Sequence, residues 1–247
     1  MPIKEVVSGW RDSDSLYKNW AWIFALYLYR DGIVGGFCFV RALFSSYLLS
    51  FKMFGFGLVP RVAFSHGYFK VNFKACSSSK VTSRATGIAI IFERWRSGAE
   101  TNIVLSKRAE FIINNTIVLG DGCKIQVENG GKLLFGGKSK AQSSGITCDT
   151  IILCSENISI GSGSIISWNC YFSDSSQHKI NGVLKIDSVQ IGENVWISEG
   201  VTCGPGCNIG DGSIIGSKSY VAKSFPPAVI IAGAPARVVK ENISWSR

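Results

Sequence analysis

The residues best suited to proton transfer lie in one short polar segment of the 247-residue chain, from Asp174 to Ile180. Of the two histidines, His178 lies in this segment, whereas His66 has no acidic residue nearby in sequence and is treated as structural. Near neutral pH an imidazole can accept the proton of a hydroxyl group that attacks a carbonyl carbon. Asp174 could orient such a ring, or it could be an ordinary turn residue. By itself the segment indicates either a general base or a surface histidine.

Eight cysteines offer a second kind of chemistry. Cys203 and Cys207 enclose a Gly-Pro-Gly turn and resemble half of a zinc site, but no second Cys/His pair with zinc spacing completes it. No apolar leader precedes the first charged residues, so we expect reduced thiols in a cytosolic compartment. We therefore predict that the cysteines serve as small apolar core residues and that no metal is bound.

The overall composition narrows the class of protein. Hydrophobic residues make up 46% and charged residues 17% of a chain that contains 27 glycines, which excludes a disordered protein and favours a β-rich one with many tight turns. The net charge of +9 indicates an anionic partner. A phosphorylated cofactor, an anionic membrane surface and nucleic acid all fit that sign.

A six-residue repeat runs through the second half of the chain. From Ile191 each unit opens on an aliphatic residue or Cys and carries small residues at its second and fifth positions. The opening positions are Ile191, Ile197, Cys203, Ile209, Ile215 and Val221; the second are Gly192, Ser198, Gly204, Gly210, Gly216 and Ala222; the fifth are Val195, Val201, Cys207, Ser213 and Ser219. The frame continues upstream through Cys148, Cys154, Ile160, Ile166 and Phe172, with a weaker copy at Ile113, Leu119 and Ile125.

This repeat predicts a prism of stacked triangular coils, in which each unit is a short strand followed by a turn. The opening residues then point inward and stack between coils, while Gly or Ser at the second position relieves crowding at the bend. The frame breaks once, because Phe172 and Ile191 are nineteen residues apart where three units would span eighteen. The polar segment that contains His178 is therefore predicted to leave the prism as a loop over residues 173–188, where function concentrates.

The stretch from Val189 to Val239 resembles the hexapeptide-repeat acyltransferases, especially those that acetylate bacterial surface polysaccharides. The matching segments are Ile191-Gly192-Glu193-Asn194-Val195-Trp196-Ile197, Gly210-Asp211-Gly212-Ser213-Ile214-Ile215-Gly216, Pro226-Pro227 and Ala232-Gly233-Ala234-Pro235-Ala236-Arg237-Val238-Val239. The resemblance covers roughly residues 110–240. It implies an all-β fold, a left-handed parallel β-helix, that assembles as a homotrimer with acetyl-CoA between adjacent prisms. It also implies acetyl transfer to a sugar hydroxyl in O-antigen, capsule or exopolysaccharide biosynthesis.

The resemblance also implies roles for individual residues. The family places its catalytic histidine in a similar acidic loop, so His178 is expected to be the general base and Asp174 to orient it or hold the sugar. Ser176 stands where the family often has a second acid, which leaves the substrate contacts open, and Trp196 is expected to wall the acceptor pocket or to contact a neighbouring subunit. The CoA groove is implied at Ser217, Lys218, Lys223, Ala234, Pro235, Arg237 and Lys240. Backbone N–H groups near Gly204 are expected to stabilise the oxyanion.

The first sixty residues lie outside the resemblance and form an apolar, aromatic, helical extension. Its uncharged runs are too short for a spanning helix. Arg30, Arg41 and Lys52 recur every eleven residues, a spacing that returns to nearly the same helix face. We expect helices, interrupted at Gly35-Gly36, that lie in a membrane interface or pack on the trimer. The expected divisions are 1–60, a β-helix over 61–223 and a tail over 224–247 that completes the CoA groove.

Two other functions stay open at this point. The acceptor could be the amine of an amino sugar or a small metabolite, and the prism could be a scaffold without chemistry. A zinc-dependent carbonic anhydrase on this fold would need three histidine ligands, which two histidines cannot supply. We expect a cytoplasmic protein, peripheral to the inner face of the cytoplasmic membrane, that binds a sugar or lipid-linked glycan and no nucleic acid.

Overall fold

A computed structural model describes residues 16–66, 70–95, 97–137 and 143–246, with side chains at 16, 17, 30–35 and 66 left outside the description. One helix, α1 (Leu16–Phe54), precedes a series of short strands. The imidazole of His66 and the guanidinium of Arg30 therefore lie outside the described residues.

Most strands form three parallel sheets that close into a three-sided prism. Sheet 1 contains β1 (Val62–His66), β4 (Ile90–Glu93), β7 (Ile117–Gly120), β10 (Ser144–Ile146), β13 (Ile165–Ile166), β18 (Trp196–Ile197), β21 (Ile214–Ile215), β24 (Ile230–Gly233) and the antiparallel β25 (Ala236–Lys240). Sheet 2 contains β2 (Val71–Ala75), β5 (Thr101–Leu105), β8 (Lys124–Val127), β11 (Ile151–Cys154), β14 (Tyr171–Ser173), β19 (Thr202–Cys203) and β22 (Tyr220–Val221). Sheet 3 contains β3 (Lys80–Ser83), β6 (Glu110–Ile113), β9 (Lys132–Phe135), β12 (Asn157–Ile160), β17 (Val189–Ile191), β20 (Asn208–Ile209) and β23 (Ser224–Phe225).

The stacking of these strands confirms the six-residue frame. In sheet 1, Ile166 pairs with Ile197, Ile197 with Ile215, and Ile215 with Ile231, and all four side chains are buried. Successive residues of a strand point to opposite faces, so one inward residue per unit is enough to build a continuous column of apolar contacts. The parallel pairing continues through β24, so the prism extends beyond its expected end at residue 223. The left-handed sense implied by the resemblance stays a prediction.

Glycine at the second position of a unit has a steric cause. A Cβ on Gly161 would collide with the carbonyl group of Gly192 in the next coil, and one on Gly192 would collide with the backbone of Asp211. The coils approach so closely at these bends that only a residue without a side chain fits. The sequence-based expectation that these glycines relieve crowding is confirmed.

The cysteines of the repeat are core residues, as predicted. All six are buried as free thiols: Cys123, Cys148, Cys154, Cys170, Cys203 and Cys207. Burial raises the pKa of the Cys123 thiol to about 12 and that of Cys170 to about 11. The thiol of Cys203 has its pKa raised by its hydrogen bond to Cys207 and by burial. In the described ranges, no three His, Cys, Asp or Glu side chains converge as a metal site.

Helix α1 folds back on itself and covers the N-terminal end of the prism. The rings of Trp20 and Phe39 lie 6.2 Å apart, although nineteen residues of straight helix would separate them by about 28 Å. The chain must therefore bend sharply between them, in the region where Gly35-Gly36 was expected to interrupt it. Trp20 donates its indole N–H to the Pro60 carbonyl at 3.1 Å, and Tyr27 donates its hydroxyl to the Phe64 carbonyl at 3.1 Å.

Candidate functional site

The predicted loop is a β-hairpin that projects from the corner between sheets 2 and 3. Its strands are β15 (Ser175–Ile180) and β16 (Val183–Ile186), paired in antiparallel fashion with Ile180 opposite Val183. The two-residue turn is Asn181-Gly182, and both residues have positive φ angles, 52° and 79°. Asn-Gly is the strongest short-range signal for such a hairpin, so the predicted loop carries a hairpin signal in its sequence. His178 is carried on β15 with its imidazole exposed.

Asp174 anchors the hairpin to the prism. It is fully buried, and its carboxylate accepts hydrogen bonds from the backbone N–H groups of Ser155 (2.7 Å), Glu156 (2.8 Å) and Asn157 (2.7 Å). Burial, followed by the adjacent Asp174 charge, raises the pKa of the Cys154 thiol to about 12. Within the described ranges the Asp174 carboxylate makes no hydrogen bond to His178. Of the roles that the sequence left open for Asp174, this geometry favours a structural turn residue over one that orients the imidazole or holds the sugar.

A second set of contacts holds the base of β15. Ser155 donates its hydroxyl to a Glu128 carboxylate oxygen at 2.8 Å, and the Gln177 side-chain amide donates to the Ser155 hydroxyl at 3.4 Å. Ser176 donates its hydroxyl to the His178 carbonyl at 2.8 Å and accepts from the Lys185 amide at 3.2 Å. The Ser176 hydroxyl therefore stabilises the hairpin from within, and its only proton is already committed to that role.

Trp196 lies on the outer face of sheet 1 and has an aromatic partner that the sequence did not predict. Its ring centroid is 6.1 Å from that of Trp245, and the Trp245 indole N–H donates to the Asn194 carbonyl at 2.9 Å. The C-terminal residues therefore fold back over this face. Trp196 remains 41% exposed, so the pair forms an apolar wall that is open to solvent. Forty-nine residues separate the two rings in sequence, and no local pattern signals the contact.

The residues implied for the CoA groove are exposed but do not all lie together. Ser217 and Lys218 form the turn between β21 and β22, and Lys218 is paired with Glu199 at 3.0 Å. Ala234 and Pro235 form the tip of the β24–β25 hairpin beside that turn, since the Gly233 amide donates to the Ser219 hydroxyl at 3.1 Å.

The other three residues of this set are cations, two of them on β25 and one at a different corner of the prism. Arg237 and Lys240 are exposed on β25. Lys223 is at the other corner, between β22 and β23, with its ammonium 5.1 Å above the Phe225 ring.

The amide of Gly204 is not available to an oxyanion in this structure. It donates to the Val221 carbonyl at 2.8 Å as part of the interstrand ladder, and the Gly206 amide donates to the Asp187 carbonyl at 3.2 Å. The expectation that N–H groups near Gly204 stabilise the oxyanion is therefore not supported by the geometry. The coil uses these donors to pair with its neighbour.

Two groups of predicted residues thus occupy different corners of one protomer. The corner between sheets 2 and 3 carries Asp174, Ser176 and His178, with Lys223 two coils further along. Trp196, Ser217, Lys218, Ala234, Pro235, Arg237 and Lys240 lie on sheet 1 or at its corner with sheet 2. The full width of sheet 2 separates the groups. An open groove of about 370 Å³ on sheet 3, lined by Gln190, Asn208 and Asp211, contains none of them.

The stacked coils repeat every six residues, and one protein-family model matches part of the chain. Residues 188–223 match the family model described as bacterial transferase hexapeptide (six repeats), so the resemblance read from the sequence is confirmed over this segment. An uncharacterized 24.8 kDa protein in the cps region of Klebsiella pneumoniae is 37% identical over 145 residues, which cover 57% of this chain. The match spans 63% of that relative, less than two thirds of its length.

Solved structures with a similar course of the chain include two acetyltransferases. The polySia specific acetyltransferase NeuO is 21% identical, with coverage of 75% of this chain and 88% of that chain and a TM-score of 0.44. A maltose O-acetyltransferase from Clostridium difficile 630 is 19% identical, with coverage of 94% and 90% and a TM-score of 0.36.

Proposed function

We propose that this protein transfers an acetyl group from acetyl-CoA to a sugar hydroxyl of a bacterial surface polysaccharide or its lipid-linked precursor. The observation that carries the proposal is the hairpin that interrupts the six-residue repeat. Its first strand presents an exposed His178 and is anchored to the prism by the buried Asp174. The relative from a cps region supports a polysaccharide acceptor.

In this reaction His178 acts as the general base. An imidazole nitrogen takes the proton of the sugar hydroxyl while its oxygen attacks the thioester carbonyl carbon. The tetrahedral intermediate then collapses, the C–S bond breaks, and the proton passes to the departing sulfur. The products are the sugar acetate ester and free CoA thiol, so atoms and charge balance without a metal ion.

CoA binding is assigned to the sheet 1 group. The exposed cations Arg237 and Lys240 suit the phosphates, and Lys218, held by Glu199, sits beside the small residues at Ala234 and Pro235. The Trp196–Trp245 wall suits the acceptor or the acyl arm, because a large apolar face left open to solvent gains from being covered.

A homotrimer would unite the two groups of residues. The hairpin exposes four apolar side chains, Ile180, Val183, Leu184 and Ile186, which one protomer leaves uncovered. A projecting arm of this kind suits contact with a neighbouring prism, where the His178 of one chain would meet sheet 1 of the next. The active site is therefore proposed to lie between subunits.

The test compares His178→Ala with Lys179→Ala, an exposed neighbour on the same strand. Cells that lack the native gene are complemented with each variant, and their surface glycan is analysed by mass spectrometry for the added acetyl mass. His178→Ala should lower acetylation by about 100-fold or more while Lys179→Ala leaves it near wild type. Purified His178→Ala should keep the oligomeric mass of the wild type, because an exposed side chain contributes little to folding.

Calorimetry with acetyl-CoA separates the enzyme from a scaffold. The purified full chain should bind acetyl-CoA with measurable heat, and Arg237→Gln should weaken that binding. Full acetylation by His178→Ala would contradict the assigned base. The absence of any acetyl-CoA binding by the wild-type chain would reject the transferase.

A further inference from the structure

The C-terminal arm of α1, Gly36–Phe54, is apolar on its outward face as well as on its inward one. Its buried inward side chains include Ala42, Ser46, Leu49, Ser50 and Met53, and the Ser50 hydroxyl accepts the Arg61 amide at 2.9 Å. Its outward stripe consists of large apolar residues at intervals of three and four: Phe37, Val40, Phe44, Tyr47, Leu48 and Phe51. A surface helix of a globular protein normally carries charged and polar residues on its outward face.

This exposed stripe continues onto neighbouring segments. Tyr47, Leu48 and Phe51 line an apolar crevice of about 330 Å³ together with Phe56 and Leu58, which are 88% and 86% exposed. The N-terminal arm of α1, which precedes the bend, adds the exposed Phe24, whose ring lies 4.9 Å from that of Phe39. Contiguous apolar patches of this kind mark interaction surfaces.

The charges in and around this patch are predominantly positive. Lys18, Arg41 and Lys52 are exposed, and the sequence from residue 16 to residue 61 contains five basic residues and a single acidic one, Asp31. A second copy of the chain would bring the same sign against this surface, which is unfavourable. An anionic lipid surface supplies the opposite charge together with an apolar layer.

We propose that this outward face of α1 binds to the surface of an anionic phospholipid bilayer. The large apolar side chains insert among the acyl chains, while Arg41 and Lys52 reach the headgroups. This inference stands on α1 alone and is independent of the proposed acetyl transfer.

The helix is assigned to the interface rather than to a span across the bilayer. By length and composition alone, the helical segment Gly36–Phe54 could cross a membrane, and its mean hydropathy is 1.3. Its inner face, however, shares the buried core of the first coil through Leu49 and Met53, and the Ser50 hydroxyl accepts the Arg61 amide. Because α1 covers the N-terminal end of the prism, the His178 hairpin lies four coil steps, about 19 Å, from the membrane-proximal coil.

Flotation of the full chain with lipid vesicles tests the proposal. The wild type should float with vesicles of phosphatidylcholine mixed with phosphatidylglycerol and much less with phosphatidylcholine alone. Phe44→Ser/Phe51→Ser should lower the partition coefficient by about 100-fold. A control, Trp95→Ser/Val104→Ser, removes two exposed apolar side chains outside the patch and should float like the wild type. Arg41→Gln/Lys52→Gln should lower binding to the anionic vesicles by about 25-fold, since each basic residue contributes about fivefold.

Three outcomes would overturn the proposal. A wild-type chain that stays with the soluble fraction in the presence of anionic vesicles excludes lipid binding, and a simultaneous fall in the oligomeric mass of Phe44→Ser/Phe51→Ser would identify a second copy as the occupant. If Phe44→Ser/Phe51→Ser floats as well as the control variant, the apolar patch on α1 is not the lipid-binding surface. Resistance of the bound wild type to alkaline carbonate would indicate a spanning helix. Acetyl-CoA binding by the double Phe variant should match the wild type, so failure here leaves the proposed reaction intact.

Discussion

The carboxylate of Asp174 and the backbone amide of Asn157 are joined by a 2.7 Å hydrogen bond across two neighbouring coils. The hairpin starts at Asp174, so this bond fixes the point from which the His178 strand leaves the prism. The same carboxylate accepts two further amides, and a buried acceptor with three donors cannot be replaced without leaving some of them unpaired.

Replacement of Asp174 by Asn should therefore destabilise the protein. Both carboxylate oxygens accept backbone N–H groups, so the side-chain NH₂ of Asn would face at least one of those donors without an acceptor. The free energy of unfolding should therefore fall by about 2–4 kcal/mol. Chemical denaturation measures this change. The matched control is Asp187→Asn, an exposed acid at the other end of the hairpin, whose effect should stay within about 0.5 kcal/mol. Equal stability of the two variants would contradict the anchoring role.

Gly161→Ala should disturb the stacking of the coils. Its new Cβ would overlap the Gly192 carbonyl, a backbone group that cannot move without separating two coils. We expect a loss of about 3 kcal/mol in unfolding free energy, with a lower thermal midpoint in circular dichroism. Gly57→Ala is the control, because its Cβ would meet no atom closer than 3.7 Å. A Gly161→Ala variant as stable as this control would exclude close packing at the bend.

The buried thiols should make the fold sensitive to alkaline pH. Cys123 has its pKa raised by burial from 9.0 to about 12, so the unfolded chain loses this proton at lower pH than the folded one. The free energy of unfolding therefore keeps the full contribution of this group below pH 9 and loses it as the pH rises toward 12. At pH 10.5 this group alone should lower the unfolding free energy by about 2 kcal/mol relative to neutral pH.

The measurement compares unfolding at pH 8 and pH 10.5 for Cys123→Ala and Cys76→Ala. Cys123→Ala should show a smaller loss of stability between the two pH values than the wild type. Cys76→Ala should not, because hydrogen bonds from Ser78 lower the pKa of that half-exposed thiol rather than raise it. Identical pH profiles for Cys123→Ala and the wild type would contradict the assignment.

Removal of the Trp245 ring should expose Trp196. Trp245→Ala loses an aromatic contact and the hydrogen bond to the Asn194 carbonyl, so stability should fall by about 1–2 kcal/mol. Acrylamide should quench the fluorescence of Trp196 more strongly in this variant. Trp245→Phe keeps the ring and should retain most of the protection. If the quenching of both variants equals that of the wild type, the tail does not cover Trp196 in solution.

Much of the prism could be predicted because one rule decides its interior. A six-residue period fixes which residues point inward, and Ile191, Ile197 and Cys203 are buried as that period requires. The projecting hairpin follows from the same rule, since a segment that breaks the period cannot remain in the stack. The Asn181-Gly182 pair also indicates a two-residue hairpin turn from the sequence alone.

Other contacts could not be read in this way. Asp174 lies in the segment that the resemblance implied to be catalytic, yet its carboxylate is bound to amides seventeen to nineteen residues earlier. The Gly204 amide was expected to be free, but it pairs with the next coil. In both cases the competing partner belongs to a neighbouring coil.

The amino-acid sequence by itself determined the coil, its core and the site of its interruption, because strand periodicity encodes inward and outward directions locally. Only the tertiary structure decided which polar groups pair between coils, that Trp245 reaches Trp196, and which face of α1 stays exposed. Those outcomes depend on which segments meet after the chain has closed each coil, and a spacing along the chain carries no such distance in space.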